Sequence, residues 1–430
     1  MTIDKKNDNV AEILFEDMNQ VISQLVLAKK SAQELRKASG EKKNLFLKKL
    51  ADLLLENVKE ILSANAKDVN GAADIAPALK KRLSLSEESI KAMALGVKEM
   101  INLPDPVGEV TEKWQQPNGM KVEKVRVPIG VIFFVFEARP NVIIDAAALA
   151  IKSGNVLVAR GGKEARHSNE ILEKLIQRAL QESGLPQGAV QQLADKNREA
   201  IYEVLKYSEY VDLAVARGRE QLISAVKKHS RVPVIAHERG LCSIYIDEFA
   251  DKVKAIKIVV NAKISNPAVC NSVETVLIHR AAVKNILPDL IDHLIKEGVE
   301  VRGSEEVCAV DSRCQKASDA DWDTEYLALI ISIKIVASLD EALAHIEKHG
   351  SRHSDAIITE NVSNANKFIR EVNNAAALVN ASTRLVDGGQ FGLGAEFGVS
   401  TASIHMRGPM GLKDLTVTKY VVLGDGQIRE

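Results

Sequence analysis

Hydrophobic and polar positions along the chain follow two successive rhythms. From residue 9 to about 101, apolar side chains recur three and four apart, as in LFLKKLADLLLENVKEILSANAKDV, with Lys and Glu on the other face. This spacing predicts amphipathic helices. LPDPVGEV breaks the pattern, and Val122, Val125 and Val127 then alternate with charged residues beside Pro117-Asn118-Gly119, which predicts a hairpin.

From Gly130 the rhythm becomes apolar runs of five to seven residues, each followed by a helical pattern, as buried parallel strands with crossover helices require. VIFFVF leads to a helix from Asn141 to Lys152, stopped by Gly154; NVLVAR leads through Gly161-Gly162-Lys163 to a helix closed by Gly184; AVQQL, VDLAVA and PVIA follow. A second series starts near Cys242 with SIYID, VETVLIH, VEVRG, ALIISIKIV, SDAIIT and AAALVN, separated by helical stretches. The expectation is an α/β chain with two doubly wound parallel-sheet domains in tandem. The tail DGGQFGLGAEFG reads as loop, and LTVTKYVVL as a last strand suited to pair with the early hairpin.

At 430 residues the chain exceeds what one core usually fills. Lys+Arg 57 against Asp+Glu 58 leaves a net charge of -1, without the basic block that nucleic acid or an anionic membrane would need. Aromatic content of 4% argues against base-stacking platforms. No apolar run approaches a bilayer span and the N-terminus has no signal-peptide pattern, so a cytoplasmic location is expected. Four cysteines, none in a C-x2-C pair, make neither a disulfide framework nor a zinc site.

Cys270, in SNPAVCNSVETVLIH, falls on a polar loop between a helix and a strand. Two readings stand: a reactive thiol activated by backbone N–H groups or a cation such as Lys263, or a small packed hydrophobe. Arg160-Gly161-Gly162-Lys163 and Ala216-Arg217-Gly218-Arg219 each sit after a strand. There they read as phosphate-facing turns or as ordinary strand-to-helix turns. His345, His349 and His353 are spaced by four, but Gly350 interrupts their helix and no third ligand is evident. Cys308 and Cys314 read as structural.

RVPIGVI with FEARPNV, GNVLVARGGKE, LPQGAVQ, NPAVCN, HSDAIIT, NASTR, DGGQFGLGAEFGVST and HMRGPMGLKDLT, in this order, resemble the gamma-glutamyl phosphate reductases, a family similar in fold to the aldehyde dehydrogenases. The resemblance implies a cofactor-binding domain over 1–110 and 130–240. It implies a catalytic domain over 241–395, and an oligomerisation element over 111–129 and 396–430. It implies NADPH-dependent reduction of L-glutamate 5-phosphate to the 5-semialdehyde in proline biosynthesis, with Cys270 as nucleophile. The oxyanion donor is then Asn141 or Arg139. Arg139, Arg384 and Arg407 are candidates for the substrate's anionic groups, beside Ser382 and Thr383. Arg160, Gly161, Gly162, Lys163, Arg217, Gly218 and Glu325 are implied at NADPH/NADP, Glu325 on the nicotinamide ribose. Arg219 replaces an expected glycine, and Glu238 stands where hydrolytic relatives keep a base that a reductase does not need. A homo-oligomer is expected, as is transient contact with glutamate 5-kinase because the acyl phosphate is labile. Competing readings are a hydrolytic aldehyde dehydrogenase and a non-catalytic nucleotide-binding scaffold.

Overall fold

The computed structural model describes residues 5–72, 80, 82–194, 197–218, 220–236, 239–404 and 406–429. The early helical rhythm forms α1 (Lys5–Leu35), α2 (Gly40–Glu56), α3 (Val58–Gly71) and α4 (Glu87–Asn102). Polar side chains start two of them: Ser39 Oγ accepts the Lys42 N–H, and Ser86 and Ser89 form a capping box. The three-and-four spacing buries Phe46, Leu47, Leu50 and Leu54 on one face of α2.

The hairpin is β1 (Val110–Gln115) and β2 (Lys121–Pro128), and β2 also pairs antiparallel with the last strand, Thr416–Leu423. Next comes β3 (Val131–Phe136), buried at every position as its unbroken apolar run requires. It is followed by α5 (Asn141–Lys152), β4 (Val156–Arg160), α6 (Arg166–Ser183), β5 (Val190–Gln192), α7 (Arg198–Val204), β6 (Leu213–Arg217), α8 (Glu220–His229) and β7 (Val234–Ala236). Gly184 ends α6 with φ 65°, a left-handed cap that a residue with Cβ would hold under strain. The sheet is parallel in the order β5-β4-β3-β6-β7. Its winding reverses between β3 and β6, so their carboxyl ends form a switch point, where doubly wound sheets bind ligands.

The second series gives β8 (Cys242–Ile246), α9 (Lys252–Ile264), β9 (Val273–His279), α10 (Val283–Lys296), β10 (Glu300–Gly303), α11 (Glu305–Val310), β11 (Gln315–Lys316), β12 (Ile330–Val336), α12 (Leu339–His349), β13 (Ser354–Ile358), α13 (Val362–Glu371) and β14 (Ala376–Val379). The sheet runs β11-β10-β12-β9-β8-β13-β14, with every pair parallel. Ile244, Val276, Ile286, Leu290 and Ile333 are among its core residues.

The chain divides into two units: residues 1–236, 392–398 and 410–430, and residues 237–391 with 399–409. Within the tail, 392–398 and 410–430 group with the first unit and 399–409 with the second. Residues 399–409 belong to the second unit because Val399–Ser400 pairs with Gly408–Pro409 while Arg407 bonds Asn373 and Arg352 bonds Ser403. The short α7 and α11 and the two-residue β11 carry too few periodic positions to be read from sequence. Among the described residues no helix is long and apolar enough to cross a membrane.

Candidate active site

Cys270 lies half-buried on the turn between α9 and β9, at the amino end of the second sheet, opposite the carboxyl edge where such sheets usually bind ligands. Both ends of the turn are fixed from below. Lys263, in the last turn of α9, is paired with Glu274, second residue of β9, at 2.7 Å, with side chains 0% and 1% exposed. Ser272 Oγ donates to the Ala262 carbonyl at 3.2 Å, and Asn271 Nδ2 donates to the Val386 carbonyl at 2.9 Å. Lys263 is thus committed to Glu274 and is not the available cation the sequence suggested; burial pushes Glu274 up to about 7 and Lys263 down.

From the side, Gly240 lies directly against the Cys270 backbone. A Cβ there would come within 2.0 Å of the Cys270 carbonyl oxygen and 2.4 Å of its Cα, so only glycine fits. The Gly240 N–H donates to Glu325 Oε1 at 2.9 Å, which fixes the approach. Glu325, expected on the cofactor, thus has a structural partner beside the cysteine. The buried Cys242 thiol donates to the Cys270 carbonyl at 3.2 Å. Burial pushes the Cys242 thiol up, keeping it a protonated donor.

The arginine candidates separate. Arg384 Nε donates to Ser265 Oγ at 2.9 Å and its Nη1 donates to Asn271 Oδ1, so this guanidinium bridges the two ends of the Cys270 turn. Ser382 Oγ caps the short helical turn that carries it, accepting the Arg384 N–H, and Thr383 is fully buried beneath. Arg407 is instead taken up by Asn373 Oδ1 at 2.9 Å, just before β14. The histidines part as well: His345 and His349 rings lie 4.6 Å apart, whereas His353 is buried with Nδ1 2.7 Å from Ser354 Oγ. Among the described residues no group of three or more His, Cys, Asp or Glu is arranged to hold a metal.

In the first unit, Arg160, Gly161, Gly162 and Lys163 line a cavity of about 130 Å³ after β4, with Arg166 and Asn169 from α6. A Cβ on Gly161 would fall 2.2 Å from Asn169 Nδ2, and one on Gly162 3.1 Å from the Ala138 backbone nitrogen. The two glycines let this turn pack close while three cations face one cavity, a fit for a phosphorylated nucleotide. At the neighbouring strand ends, Arg139 and Asn141 follow β3, preceded by Ala138 at φ 34°, a strained value for a residue with Cβ. Asn141 Nδ2 donates to Asp145 Oδ2 at 3.3 Å. Arg217 closes β6 and donates to the Phe397 carbonyl at 3.4 Å, and Gly218 leaves no room for a Cβ beside Glu137 and Leu222. Arg219 and Glu238 lie outside the described residues.

Comparison with known proteins decides the family. The model of the aldehyde dehydrogenase family matches residues 4–318. A gamma-glutamyl phosphate reductase of Aquifex aeolicus is 47% identical over 423 residues, 96% of this chain and 97% of that protein. The crystal structure of the gamma-glutamyl phosphate reductase of Thermotoga maritima superposes with a TM-score of 0.92 at 42% identity, covering 96% of this chain and 100% of that one. The chain belongs to the gamma-glutamyl phosphate reductases. An acetylating aldehyde dehydrogenase from Geobacillus thermoglucosidasius, 16% identical with a TM-score of 0.70 over 97% of this chain and 99% of that one, shares the fold.

For this member of the family, several residues around the site escape sequence reading. Gly240 sits thirty positions before Cys270, and its need for glycine is a steric fact of the fold. Cys242 and Glu274 look like ordinary strand residues, and Arg166 and Asn169 like an ordinary helix start. Asp145 had a usable signal: a lone carboxylate among the apolar residues between Asn141 and Lys152 of NVIIDAAALAIK.

Proposed function

We propose that this chain reduces L-glutamate 5-phosphate to L-glutamate 5-semialdehyde with NADPH, releasing phosphate, as the second step from glutamate toward proline. The observation that carries the reading is Cys270: half-buried on a turn clamped by Lys263–Glu274, Gly240 and Arg384, beside a second thiol that burial keeps protonated.

The Cys270 thiolate attacks the acyl carbon, the bond from that carbon to the phosphate oxygen breaks, and phosphate leaves with the electron pair. A thioester remains on Sγ. When bound, NADPH supplies the hydride that reduces the thioester carbon. Negative charge on the acyl oxygen is met by the Cys270 backbone N–H. Collapse of the resulting thiohemiacetal breaks the carbon–sulfur bond, frees the aldehyde and returns the thiolate. Arg384 suits the departing phosphate because a guanidinium binds such an anion bidentately next to the turn that carries the nucleophile. Arg160, Lys163 and Arg166 suit the 2'-phosphate that distinguishes NADPH from NADH.

The three-stranded sheet exposes Val417, Tyr420, Val422 and Leu423, apolar surface that suits a second copy of the chain in a homo-oligomer. The reading implies a cytoplasmic biosynthetic enzyme that receives its labile substrate from glutamate 5-kinase. The test is NADP reduction with glutamate 5-semialdehyde. Activity that requires phosphate, an acyl adduct on Cys270 by intact-mass spectrometry in single turnover, and loss of both in Cys270→Ala are expected. Phosphate-independent release of an acid would mark a hydrolytic enzyme, and full speed in Cys270→Ala would overturn the proposal.

A further inference from the structure

The wall of the cavity after β4 carries one polar group that the scheme above does not use. Asn169, in the first turn of α6, is 3% exposed, yet its Oδ1 has no hydrogen-bond partner among the described residues. A buried acceptor left unpaired is costly, so folded chains rarely keep one without a use. The backbone around it is firmly held. Gln192 Nε2, from the end of β5, donates to the Asn169 carbonyl at 2.6 Å. The preceding Ser168 gives its N–H and its hydroxyl to Asp68 Oδ2 at 2.8 and 2.6 Å, and the His167 N–H donates to Asp68 Oδ1 at 2.9 Å.

The turn after β4 leaves room for this amide. A Cβ on Gly161 would fall 2.2 Å from Asn169 Nδ2 and 3.1 Å from Phe136 Cζ, so a side chain at 161 would push the amide away. Arg160, Lys163 and Arg166 line the same cavity as Asn169. Asp68 already takes N–H groups at the start of α6, so an anion in the cavity depends on side chains rather than on the helix end. Phosphate oxygens are acceptors, and Oδ1 gains nothing from them. Three cations beside one unpaired acceptor are complementary to a ligand in which a phosphate and a hydroxyl are neighbours. The adenosine ribose of NADPH carries that pair, the phosphate on its 2' carbon and the hydroxyl on its 3' carbon.

We infer that Asn169 Oδ1 accepts the 3'-hydroxyl of the cofactor's adenosine ribose, beside the 2'-phosphate held by Arg160, Lys163 and Arg166. The inference rests on the NADPH reading proposed above. It makes Asn169 a specificity residue for the sugar, and Asp68 and Gln192 positioning residues that hold its helix turn at the cavity.

The test is calorimetric titration of the full chain with 2'-AMP, 5'-AMP and the 3'-deoxy form of each, which reads binding without turnover. Wild type should bind 2'-AMP about tenfold more tightly than its 3'-deoxy form, because the missing hydroxyl leaves Oδ1 unpaired. Asn169→Leu, which keeps the volume and removes the acceptor, should bind those two within about twofold of each other. Without ligand, its urea midpoint should be no lower than that of wild type, since Oδ1 has no partner to lose. A wild type indifferent to the 3'-hydroxyl overturns the inference, and needs no variant to show it. So does an Asn169→Leu that keeps the preference, or that weakens both 2'-phosphates equally, which would place the amide on the phosphate. Failure of the NADPH reading is a separate result, 5'-AMP binding as tightly as 2'-AMP. The hydroxyl contact would still stand if 5'-AMP then outbound its 3'-deoxy form in wild type and not in Asn169→Leu.

Discussion

Lys263 and Glu274 join the two ends of the turn that carries Cys270 through a 2.7 Å ion pair with no solvent contact to speak of. Eleven positions separate the two residues, and Cys270 lies between them. A second tie leaves the same carboxylate, since the Leu327 N–H donates to Glu274 Oε1 at 3.4 Å, two residues beyond the Glu325 that receives the Gly240 N–H. The pair thus supports the Cys270 turn from beneath and connects to the segment that holds Gly240 against it.

Removing one member of such a pair leaves an uncompensated charge in the core. Lys263→Met or Glu274→Leu alone should cost about 3–5 kcal/mol in urea unfolding, whereas the double variant should return to within about 1 kcal/mol of wild type. A loss in the double variant equal to the sum of the two single losses would show that packing, not charge, carries the contact.

Gly240→Ala isolates the steric clamp. The backbone angles there are ordinary for any residue, so the damage comes from the added methyl, 2.0 Å from the Cys270 carbonyl oxygen. Displacing Cys270 by about 1 Å should lower kcat/KM by about 100-fold. NADP binding, followed by calorimetry, should be kept. A variant at parental speed would mean that the Cys270 turn yields freely.

Arg384→Lys should raise KM for phosphate in the oxidative direction by about tenfold, because an ammonium cannot bridge Ser265 and Asn271 and also grip phosphate bidentately. Arg407→Lys, engaged with Asn373, should move that KM little. Comparable shifts in both would return Arg407 to the substrate.

What the sequence made legible follows from the reach of its signals. VIFFVF and VETVLIH announce buried strands because apolar runs between turn residues have few other uses, and Gly184 marks a helix end because a left-handed cap selects glycine. Cys270 could be located on its turn, yet its surroundings could not. Gly240, Glu274, Glu325 and Arg384 meet at that turn from four separate stretches of chain, and spacing along one stretch carries no information about the others. The same limit made Lys263 look like a nearby cation. Its partner Glu274 is obvious only once α9 and β9 are laid side by side.

Cofactor choice should depend on the cavity after β4. Lys163→Ala and Arg166→Ala should each weaken NADP about tenfold while changing the Kd of NAD by less than about twofold, since only the 2'-phosphate gains from those charges. Arg166 is also paired with Glu170 at 2.9 Å, so Glu170→Gln should tighten NADP modestly by releasing it. Equal effects on both cofactors would assign the cations to the shared pyrophosphate.

The acid limit of stability should have a contribution from His345. Its ring is 6% exposed, stands edge-on to Trp322 at 5.5 Å, and among the described residues its Nε2 has no hydrogen-bond partner. Burial, aided by the charges of Lys334, His349 and Lys348, pushes its pKa down to about 3. In the unfolded chain the imidazole titrates near its ordinary value of about 6.5. Above that pH both states are neutral and the group is indifferent to folding. As pH falls from 6.5 toward 3, the unfolded chain binds a proton that the fold refuses, so stability is lost, by about 2 kcal/mol at pH 5. His345→Phe keeps a ring against Trp322 and removes the proton. Urea unfolding followed by tryptophan fluorescence at pH 7.5 and pH 5 should therefore show a smaller drop in the variant. An unchanged drop would place the acid sensitivity in other groups.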